Sequence, residues 1–290
     1  MERSLTTDEH RRLLGVSLRV RERVVRTVFR AGSGHVGAAL SQCDVLVSLY
    51  ERHLRVDPAR MDEPTRDRFV LSKGHGGLGL AAVLAERGIL ADHELDTFGE
   101  SGSPIGMHMD HRKVRGVETA TGSLGHGLGI AVGMALGARI QRWPTRVFCL
   151  LSDGECYEGS TWEAALSASA SGLTGLCAIV DRNRLTMDGF TEKEVPLEPL
   201  ADKWRSFGWR VEVCDGHDHA AIDACFSRAK DQGPAVILAE TVKGKGVSFM
   251  EQRPEWHYGS IDSAKLDEAL RSIAEQHRAA LAAIASGGAR

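Results

Sequence analysis

Short apolar segments recur along this 290-residue chain and alternate with helical segments. They are continuous rather than alternating in polarity, which is typical of parallel strands buried on both faces. The segments are 68–72, 146–151, 176–180, 209–214 and 235–240. Helical segments at 161–171 and 220–232 separate the later strands, so the pattern predicts an α/β fold built on a parallel sheet.

Further helices are predicted around this sheet. The segments 7–31 and 41–54 carry spaced apolar positions, and an Ala/Leu-rich helix extends to 87. The segment 122–138 is so rich in glycine that we expect a tightly packed helix, because each glycine on a solvated helix costs up to about 1 kcal/mol relative to alanine. A C-terminal helix is predicted at about 263–285, with Ser263 as its N-cap. We predict a single domain over 1–290.

Composition excludes several classes of function. The net charge of -3 gives no indication of a nucleic-acid partner, and no apolar stretch approaches the roughly 20 residues of a membrane span. The N-terminus has no apolar signal region. Six scattered cysteines contain no Cys-x-x-Cys pair, so we expect buried free thiols rather than a zinc site. These features predict a cytoplasmic protein.

Oxygen-bearing side chains follow two of the predicted strands. Asp153 and Gly154 follow one, and Asn183 follows the next, thirty positions after Asp153. This is about the length of one strand–helix–strand unit, so the two side chains are expected side by side at the carboxyl edge of the sheet. Such oxygens suit Mg²⁺ shared with a phosphate, and Gly154 would let the backbone approach a diphosphate. Taken alone, these segments are more typical of turns than of a metal site.

A wider set of motifs changes this interpretation. The pattern Asp153-Gly154-x-x-x-x-Gly159, with Asn183 after it, resembles the fingerprint of thiamine-diphosphate enzymes. Four further segments occur in the order found in transketolases: Ser33-Gly34-His35-Val36-Gly37, Leu71-Ser72-Lys73-Gly74-His75, 117–125 and 241–247. The resemblance to transketolase covers roughly 20–259. It implies a three-layer, parallel-sheet thiamine-diphosphate-binding fold and, in particular, the N-terminal subunit of a split transketolase.

The resemblance also implies residue roles, with thiamine diphosphate and Mg²⁺ (or Ca²⁺) as cofactors. Asp153, Asn183 and the Leu185 carbonyl would bind the metal. His35, His108 and His257 would act on sugar hydroxyls or the reacting carbonyl, where imidazoles that donate and accept protons are useful. The residues expected to contact the cofactor are His75, Gly122, Ser123, Leu124, Asp153, Gly154, Glu155, Asn183 and His257.

Several positions depart from the family pattern. Ser152 replaces the usual glycine before Asp153, and His126 stands in the usual glutamine position. Ser123 stands where single-chain transketolases have proline, which fits the split form. Met109 and Tyr258 stand where proline and glycine are usual, and we expect both to alter the sugar pocket.

A second polypeptide is expected to complete the enzyme. The full family carries a pyrimidine-binding domain that this chain is not long enough to include, so the resemblance implies an α₂β₂ assembly with a C-terminal transketolase subunit. Sugar phosphates are the expected substrates. Three alternatives stay open: the thiamine-diphosphate subunit of a 2-oxo acid dehydrogenase-like or specialised two-carbon-transfer enzyme, a non-catalytic regulatory subunit, and a nucleotide-binding protein using Gly125-His-Gly-Leu-Gly.

The remaining histidines are not predicted to be site residues. His111 and His126 are left unassigned. Six lie in polar stretches and are expected to be solvated surface residues: His10, His53, His93, His217, His219 and His277.

Overall fold

A five-stranded, entirely parallel sheet forms the centre of the structure, a computed structural model that describes residues 5–230 and 233–286. The strand order is β1-β2-β3-β5-β4. The bounds are β1 Arg68–Leu71, β2 Val147–Ser152, β3 Leu176–Arg182, β4 Arg210–Asp215 and β5 Ala235–Glu240. Each predicted apolar segment is therefore a strand. Every residue of β2 and β3 is buried, which explains why these sequences are continuously apolar.

The helices surround this sheet. Their bounds are α1 Thr7–Ala31, α2 Val36–Ser41, α3 Cys43–Ser48, α4 Gly77–Glu86, α5 Asp92–Asp96, α6 Gly127–Ile140, α7 Gly159–Ala170, α8 Thr191–Glu194, α9 Leu200–Ser206, α10 His219–Arg228 and α11 Ser263–Ala285.

Two hydrophobic cores lie on opposite faces of the sheet. Side chains along β2 alternate between them: Phe148 and Leu150 belong to the core with α1, α4 and α11, whereas Cys149 and Leu151 belong to the core with α6, α7 and α9. The sheet is thus the middle of three layers, and the predicted three-layer α/β fold is confirmed.

Some helix predictions were wrong in detail. The segment 41–54 forms the C-terminal end of α2, then α3, then a π-helical turn at Leu49–His53. Helix α6 begins at Gly127 rather than at 122, because Gly122 and Gly125 have φ values of 153° and 80° that a helix cannot include. Helix α10 ends at Arg228, and the predicted end at 231–232 lies outside the described residues.

The expectation that six histidines are solvated was wrong for two of them. His53 and His219 are buried, at 5% and 0% exposure. His53 Nε2 lies 2.9 Å from Asp223 Oδ1, and His219 lies between the hydroxyls of Ser17 and Ser48 at 3.1 and 2.7 Å. Their polar sequence neighbourhood was misleading because partners distant in sequence satisfy both imidazoles in the interior.

All six cysteines are free and buried, as expected. Within the described ranges, no helix combines the length and apolar character needed to cross a membrane.

The N-cap of α11 is Asp262, not the predicted Ser263. The Asp262 carboxylate accepts a hydrogen bond from Lys265 N at 2.8 Å, so Ser263 is the first residue inside the helix. Aspartate caps as well as serine and adds a favourable charge at the helix N-terminus. This helix packs against α1 and so closes one outer layer.

We therefore expect Asp262→Ala to lower the free energy of unfolding by about 1 kcal/mol, because it removes the cap. Ser263→Ala is the matched control and should change it by less than about 0.5 kcal/mol. Urea unfolding of both variants measures the difference. Equal losses in the two variants would show that Asp262 is not the cap.

Candidate active site

A cavity of about 400 Å³ opens at the carboxyl edge of the sheet, where ligands bind in folds of this type. Residues following β1, β2, β3 and β5 line it together. The sequence-predicted residues among its lining are His75, His108, Gly122, Leu124, Asp153, Gly154, Asn183, Leu185 and His257. Segments separated by more than a hundred residues therefore meet in one place.

Asp153 forms one wall of this cavity and is 1% exposed. Its Oδ2 accepts hydrogen bonds from Arg184 N at 2.6 Å and from Arg182 Nη1 at 3.2 Å, and its Oδ1 accepts one from Gly154 N at 2.9 Å. Burial, assisted by the negative charge of Asp181, raises the pKa of Asp153 to about 6. Because burial raises the pKa of this carboxyl group, a nearby cation would stabilise its ionised form.

Asn183 and Leu185 stand beside Asp153 in the same wall. The Asn183 amide is fixed at both ends, because Nδ2 donates to Asp181 Oδ2 at 3.2 Å and Oδ1 accepts from Leu185 N at 3.1 Å. A carboxylate, an amide oxygen and a main-chain carbonyl thus line one wall, and this donor set suits a hard cation such as Mg²⁺ or Ca²⁺.

Lys73 and Asp181 form a fully buried ion pair beneath the cavity, each side chain at 0% exposure. Lys73 Nζ also donates to Ala38 O at 3.2 Å, while Asp181 accepts from the hydroxyls of Ser41 and Thr241. Burial alone would raise the pKa of Asp181, but the Lys73 ammonium and the two hydroxyl donors outweigh it and lower that pKa below its usual value. Asp181 therefore stays ionised.

A second buried lysine, Lys243, follows β5 and also lines the cavity. Its ammonium donates to Leu185 O at 3.2 Å, to Thr186 O at 2.9 Å and to His257 Nδ1 at 2.9 Å. Burial lowers the pKa of Lys243 to about 8, so it carries its charge at neutral pH. Lys243 therefore gives the cavity wall a cation suited to binding a phosphate or diphosphate, whereas the charge of Lys73 is paired with Asp181.

Four histidine rings lie close together beside the cavity. The His35 ring centroid lies 5.6 Å from that of His75, 6.2 Å from His108 and 5.4 Å from His257. Burial, with the nearby cationic lysines, lowers the pKa of His75 to about 2 and that of His257 to about 4. Burial and His108 also lower the pKa of His35. These three imidazoles are neutral at pH 7 and can both donate and accept hydrogen bonds.

Three predicted site residues are not among the lining. His35 is not a lining residue, although its ring lies within 5.4–6.2 Å of the rings of the three histidines that are. Ser123 is exposed, and its Oγ lies 3.4 Å from His126 Nδ1. The Glu155 carboxylate is buried and accepts hydrogen bonds from Ser72 Oγ, Gly125 N at 2.9 Å and Ser152 N at 2.8 Å.

Glu155 consequently holds the 122–125 loop against the ends of β1 and β2. Gly125 makes this possible, since it has a φ of 80° and a Cβ there would lie 2.5 Å from the Glu158 side chain. The Glu155 side chain supports the cavity wall without facing into the cavity.

Comparison with known families identifies the family of the chain that carries this cavity. The family model described as "Transketolase, thiamine diphosphate binding domain" matches residues 16–276. The chain belongs to this family. The resemblance drawn from the sequence motifs is confirmed.

Individual relatives agree with this assignment. The chain is 44% identical over 240 residues to the 6-deoxy-6-sulfo-D-fructose transketolase subunit of a Clostridium species, covering 82% of this chain and 87% of that one. It is 40% identical over 258 residues to an apulose-4-phosphate transketolase subunit of Phocaeicola vulgatus, covering 88% and 92%. The crystal structure of transketolase from Campylobacter jejuni matches with a TM-score of 0.86 at 26% identity, over 95% of this chain and 46% of that chain. The chain therefore spans about half the length of that solved transketolase.

The charged residues at the site of this transketolase domain were not predicted from the sequence. Lys73, Lys243 and Asp181 lie inside or beside the transketolase-like segments, yet none was predicted as a site residue. The sequence did contain an indication of their importance, because charged residues at the ends of otherwise apolar strands of a parallel sheet are unusual and need partners. Neither Met109 nor Tyr258 is among the lining residues; the Met109 side chain is 5% exposed and packs in the core.

Replacing Lys73 should test whether the buried pair supports the domain. Lys73→Met leaves Asp181 buried without its cation, so we expect the free energy of unfolding to fall by about 3–5 kcal/mol. Lys113→Met, at an exposed lysine, is the control and should change it by less than about 0.5 kcal/mol. Urea unfolding monitored by circular dichroism gives both values. A loss of under about 1 kcal/mol for Lys73→Met would contradict the role assigned to the pair.

Proposed function

We propose that this chain is the N-terminal subunit of a transketolase, which transfers a two-carbon ketol unit from a ketose phosphate to an aldose phosphate together with a C-terminal partner subunit. The observation that carries the proposal is the cavity itself. It combines a wall of oxygen donors, two buried lysines and a group of neutral imidazoles in a transketolase-family domain. These are the groups needed to bind a metal diphosphate and to handle sugar hydroxyls.

The residues present fit thiamine diphosphate with Mg²⁺ or Ca²⁺. Asp153, Asn183 and the Leu185 carbonyl would hold the cation, whose charge would offset the raised pKa of Asp153. Lys243 would face the diphosphate, and a cation on the Leu185 carbonyl would replace the hydrogen bond now made by Lys243.

Backbone groups and one imidazole would complete the cofactor contacts. Gly154 and His75 would contact the diphosphate, and Gly122 to Leu124 would lie along the aminopyrimidine. When bound, thiamine diphosphate supplies the electron sink that carbon–carbon bond cleavage next to a carbonyl requires.

His35, His108 and His257 would move protons at the substrate. Cleavage and formation of the carbon–carbon bond require a proton to leave one hydroxyl and to reach one carbonyl oxygen. His257 accepts a hydrogen bond from Lys243 at Nδ1, so its Nε2 is the atom left to act on the sugar. The lowered pKa values of His35 and His257 keep both imidazoles neutral, so His35 can accept a proton. Because Nδ1 of His257 accepts from Lys243, its Nε2 carries the ring proton and would donate to a sugar hydroxyl or carbonyl oxygen.

The relatives support a partner subunit, and the composition supports a cytoplasmic location. Two relatives are named as transketolase subunits, which supports a second polypeptide carrying the pyrimidine-binding domain, in an α₂β₂ assembly. Six buried free thiols suit the reducing cytoplasm. The family match favours transketolase over a 2-oxo acid dehydrogenase subunit or a dinucleotide-binding protein, and the presence of the cavity's oxygen donors and histidines favours a catalytic over a regulatory role.

Asp153→Ala should abolish thiamine diphosphate binding, because it removes the carboxylate proposed to hold the bridging cation. Calorimetry in the presence of Mg²⁺ and the partner subunit measures the affinity. Asp188→Ala removes an exposed carboxylate from the lining of the same cavity and serves as the matched control, with affinity expected within about twofold of wild type. Unchanged affinity in Asp153→Ala would count against the metal assignment.

The purified chain alone should show no transfer of a two-carbon unit, since the site is proposed to form between two subunits. Adding the C-terminal subunit should restore transfer from a ketose phosphate to an aldose phosphate, followed by coupled assay or by chromatography of the products. Transfer by the isolated chain would show that it needs no partner.

A further inference from the structure

A second cavity, of about 210 Å³, lies in the cleft between α1 and α11. Among the described residues, none lines both this cleft and the active-site cavity. Lys243 lines the active-site cavity, whereas Lys245 and Gly246 line the cleft, so neighbouring residues of one short segment face different cavities. One water molecule needs only about 10–15 Å³ of such space, so the cleft has room for a small organic molecule.

Two polar side chains at one end of the cleft are already engaged with protein groups. Arg21 donates to both carboxylate oxygens of Asp44 and to Lys245 O at 3.2 Å. His217 Nε2 accepts from Val242 N at 2.8 Å, and its Nδ1 lies 2.8 Å from Asp44 Oδ2. The charges of Arg21 and Asp44 therefore offset each other, and both Arg21 and His217 hold the backbone of the segment after β5.

The side chain of Lys245 supplies a charge that is still available. Its ammonium lies 3.7 Å from Glu251 Oε1, which is too long for a hydrogen bond. That carboxylate oxygen instead accepts from Gly246 N at 3.0 Å and from Gln276 Nε2 at 2.9 Å. Within the described ranges, no hydrogen-bond acceptor reaches the Lys245 ammonium, so its three donors can serve a ligand.

Aliphatic side chains form much of the remaining wall. Leu14 and Leu18 lie one turn apart on α1, and Ile273 and Ala280 lie two turns apart on the facing side of α11. His277 also lines the cleft, and burial together with the charge of Arg21 lowers its pKa. Its ring is therefore neutral at pH 7 and can donate one hydrogen bond. The cleft thus combines an ammonium, a neutral imidazole and an aliphatic surface.

We propose that the cleft between α1 and α11 is a second ligand site, which takes a small aliphatic carboxylate with its carboxyl group on Lys245 and its alkyl chain between Leu18 and Ile273. The site goes beyond the proposed transketolase function and does not depend on it.

Both the charge and the surface of the cleft favour a carboxylate over a phosphate. A monoanion matches the one available ammonium, whereas a phosphate dianion would be left partly uncompensated because Arg21 is already paired with Asp44. Burial of an alkyl chain against the leucines and the isoleucine strengthens binding by up to about fourfold for each methylene. A phosphate has no group that can use this surface.

Nuclear magnetic resonance of methyl-labelled protein would locate the ligand directly. The full chain, labelled at its leucine and isoleucine methyl groups, is titrated with butyrate both alone and in the complex with the partner subunit saturated with thiamine diphosphate and Mg²⁺. Saturable shifts are expected at Leu14, Leu18 and Ile273, whereas Ile179 in β3 should stay unchanged and is the internal control.

Related probes measure the two parts of the recognition. Butyrate should bind at least about 5-fold more tightly than acetate, because it adds two methylenes to the apolar contact. Butyramide keeps the alkyl chain without the charge, so it should bind roughly 10-fold more weakly than butyrate. Inorganic phosphate should bind more weakly than butyrate.

Substitutions in the cleft test the same two parts. Lys245→Met should weaken butyrate binding roughly 10-fold or more, because a charge-assisted hydrogen bond is lost. Ala280→Phe fills the apolar part of the cleft and should reduce the advantage of butyrate over acetate to less than about twofold. Lys113→Met, at an exposed lysine outside the cleft, is the matched control and should leave butyrate affinity within about twofold of wild type. Circular dichroism shows whether each variant is folded, and the comparison of butyrate with acetate in the wild type decides if Ala280→Phe does not fold.

Saturable shifts at the cleft methyl groups, with the stated order of probes and the loss in Lys245→Met, would support the site. Shifts that do not saturate, or an affinity unchanged by Lys245→Met, would overturn it. Phosphate that binds more tightly than butyrate would overturn the class of ligand. Shifts that occur in the isolated chain but vanish in the complex would show that the partner subunit covers the cleft, which also overturns the site. If no complex forms, the proposed function fails and the isolated chain alone decides this inference.

Discussion

The buried ion pair between Lys73 and Asp181 is the constraint on which the functional end of the molecule depends. It joins the segment after β1 to the end of β3, across the end of β2, and through Ser41 and Thr241 it also fixes α2 and the segment after β5. Desolvating two charges costs several kcal/mol, which good geometry and further hydrogen bonds must offset. Asp181 has those further bonds, so the ends of β1, β3 and β5 are held in one arrangement beside α2.

The charges of the cavity follow from this arrangement. Asp181 is neutralised by Lys73, whereas Asp153 is buried with a raised pKa and only partly compensated by Arg182. The wall therefore favours a cation, and Lys243 adds the positive charge that a diphosphate needs. The same burial keeps the adjoining imidazoles neutral, so metal binding and proton transfer are supported by one electrostatic environment.

The sequence predicted the parts of the structure that local patterns control. Continuous apolar segments located all five strands, and motif spacing located Asp153 and Asn183 at neighbouring strand ends. Prediction from the sequence failed where partners distant in the chain determine burial. His219 is buried because Ser17 and Ser48 satisfy its ring nitrogens. Met109 packs in the core although its motif position suggested the pocket. The backbone bridge between Gly34 and Gly259, which places Tyr258 beside the histidines, joins residues more than two hundred positions apart, so no local sequence pattern could predict it.

Anomalous diffraction from crystals of the two-subunit complex with thiamine diphosphate and Ca²⁺ would locate both the metal ion and the diphosphate. We expect a calcium peak within about 2.3–2.6 Å of oxygens from Asp153, Asn183 and the Leu185 carbonyl, with the diphosphate between that ion and Lys243. A calcium ion bound elsewhere, or a diphosphate outside this cavity, would contradict it.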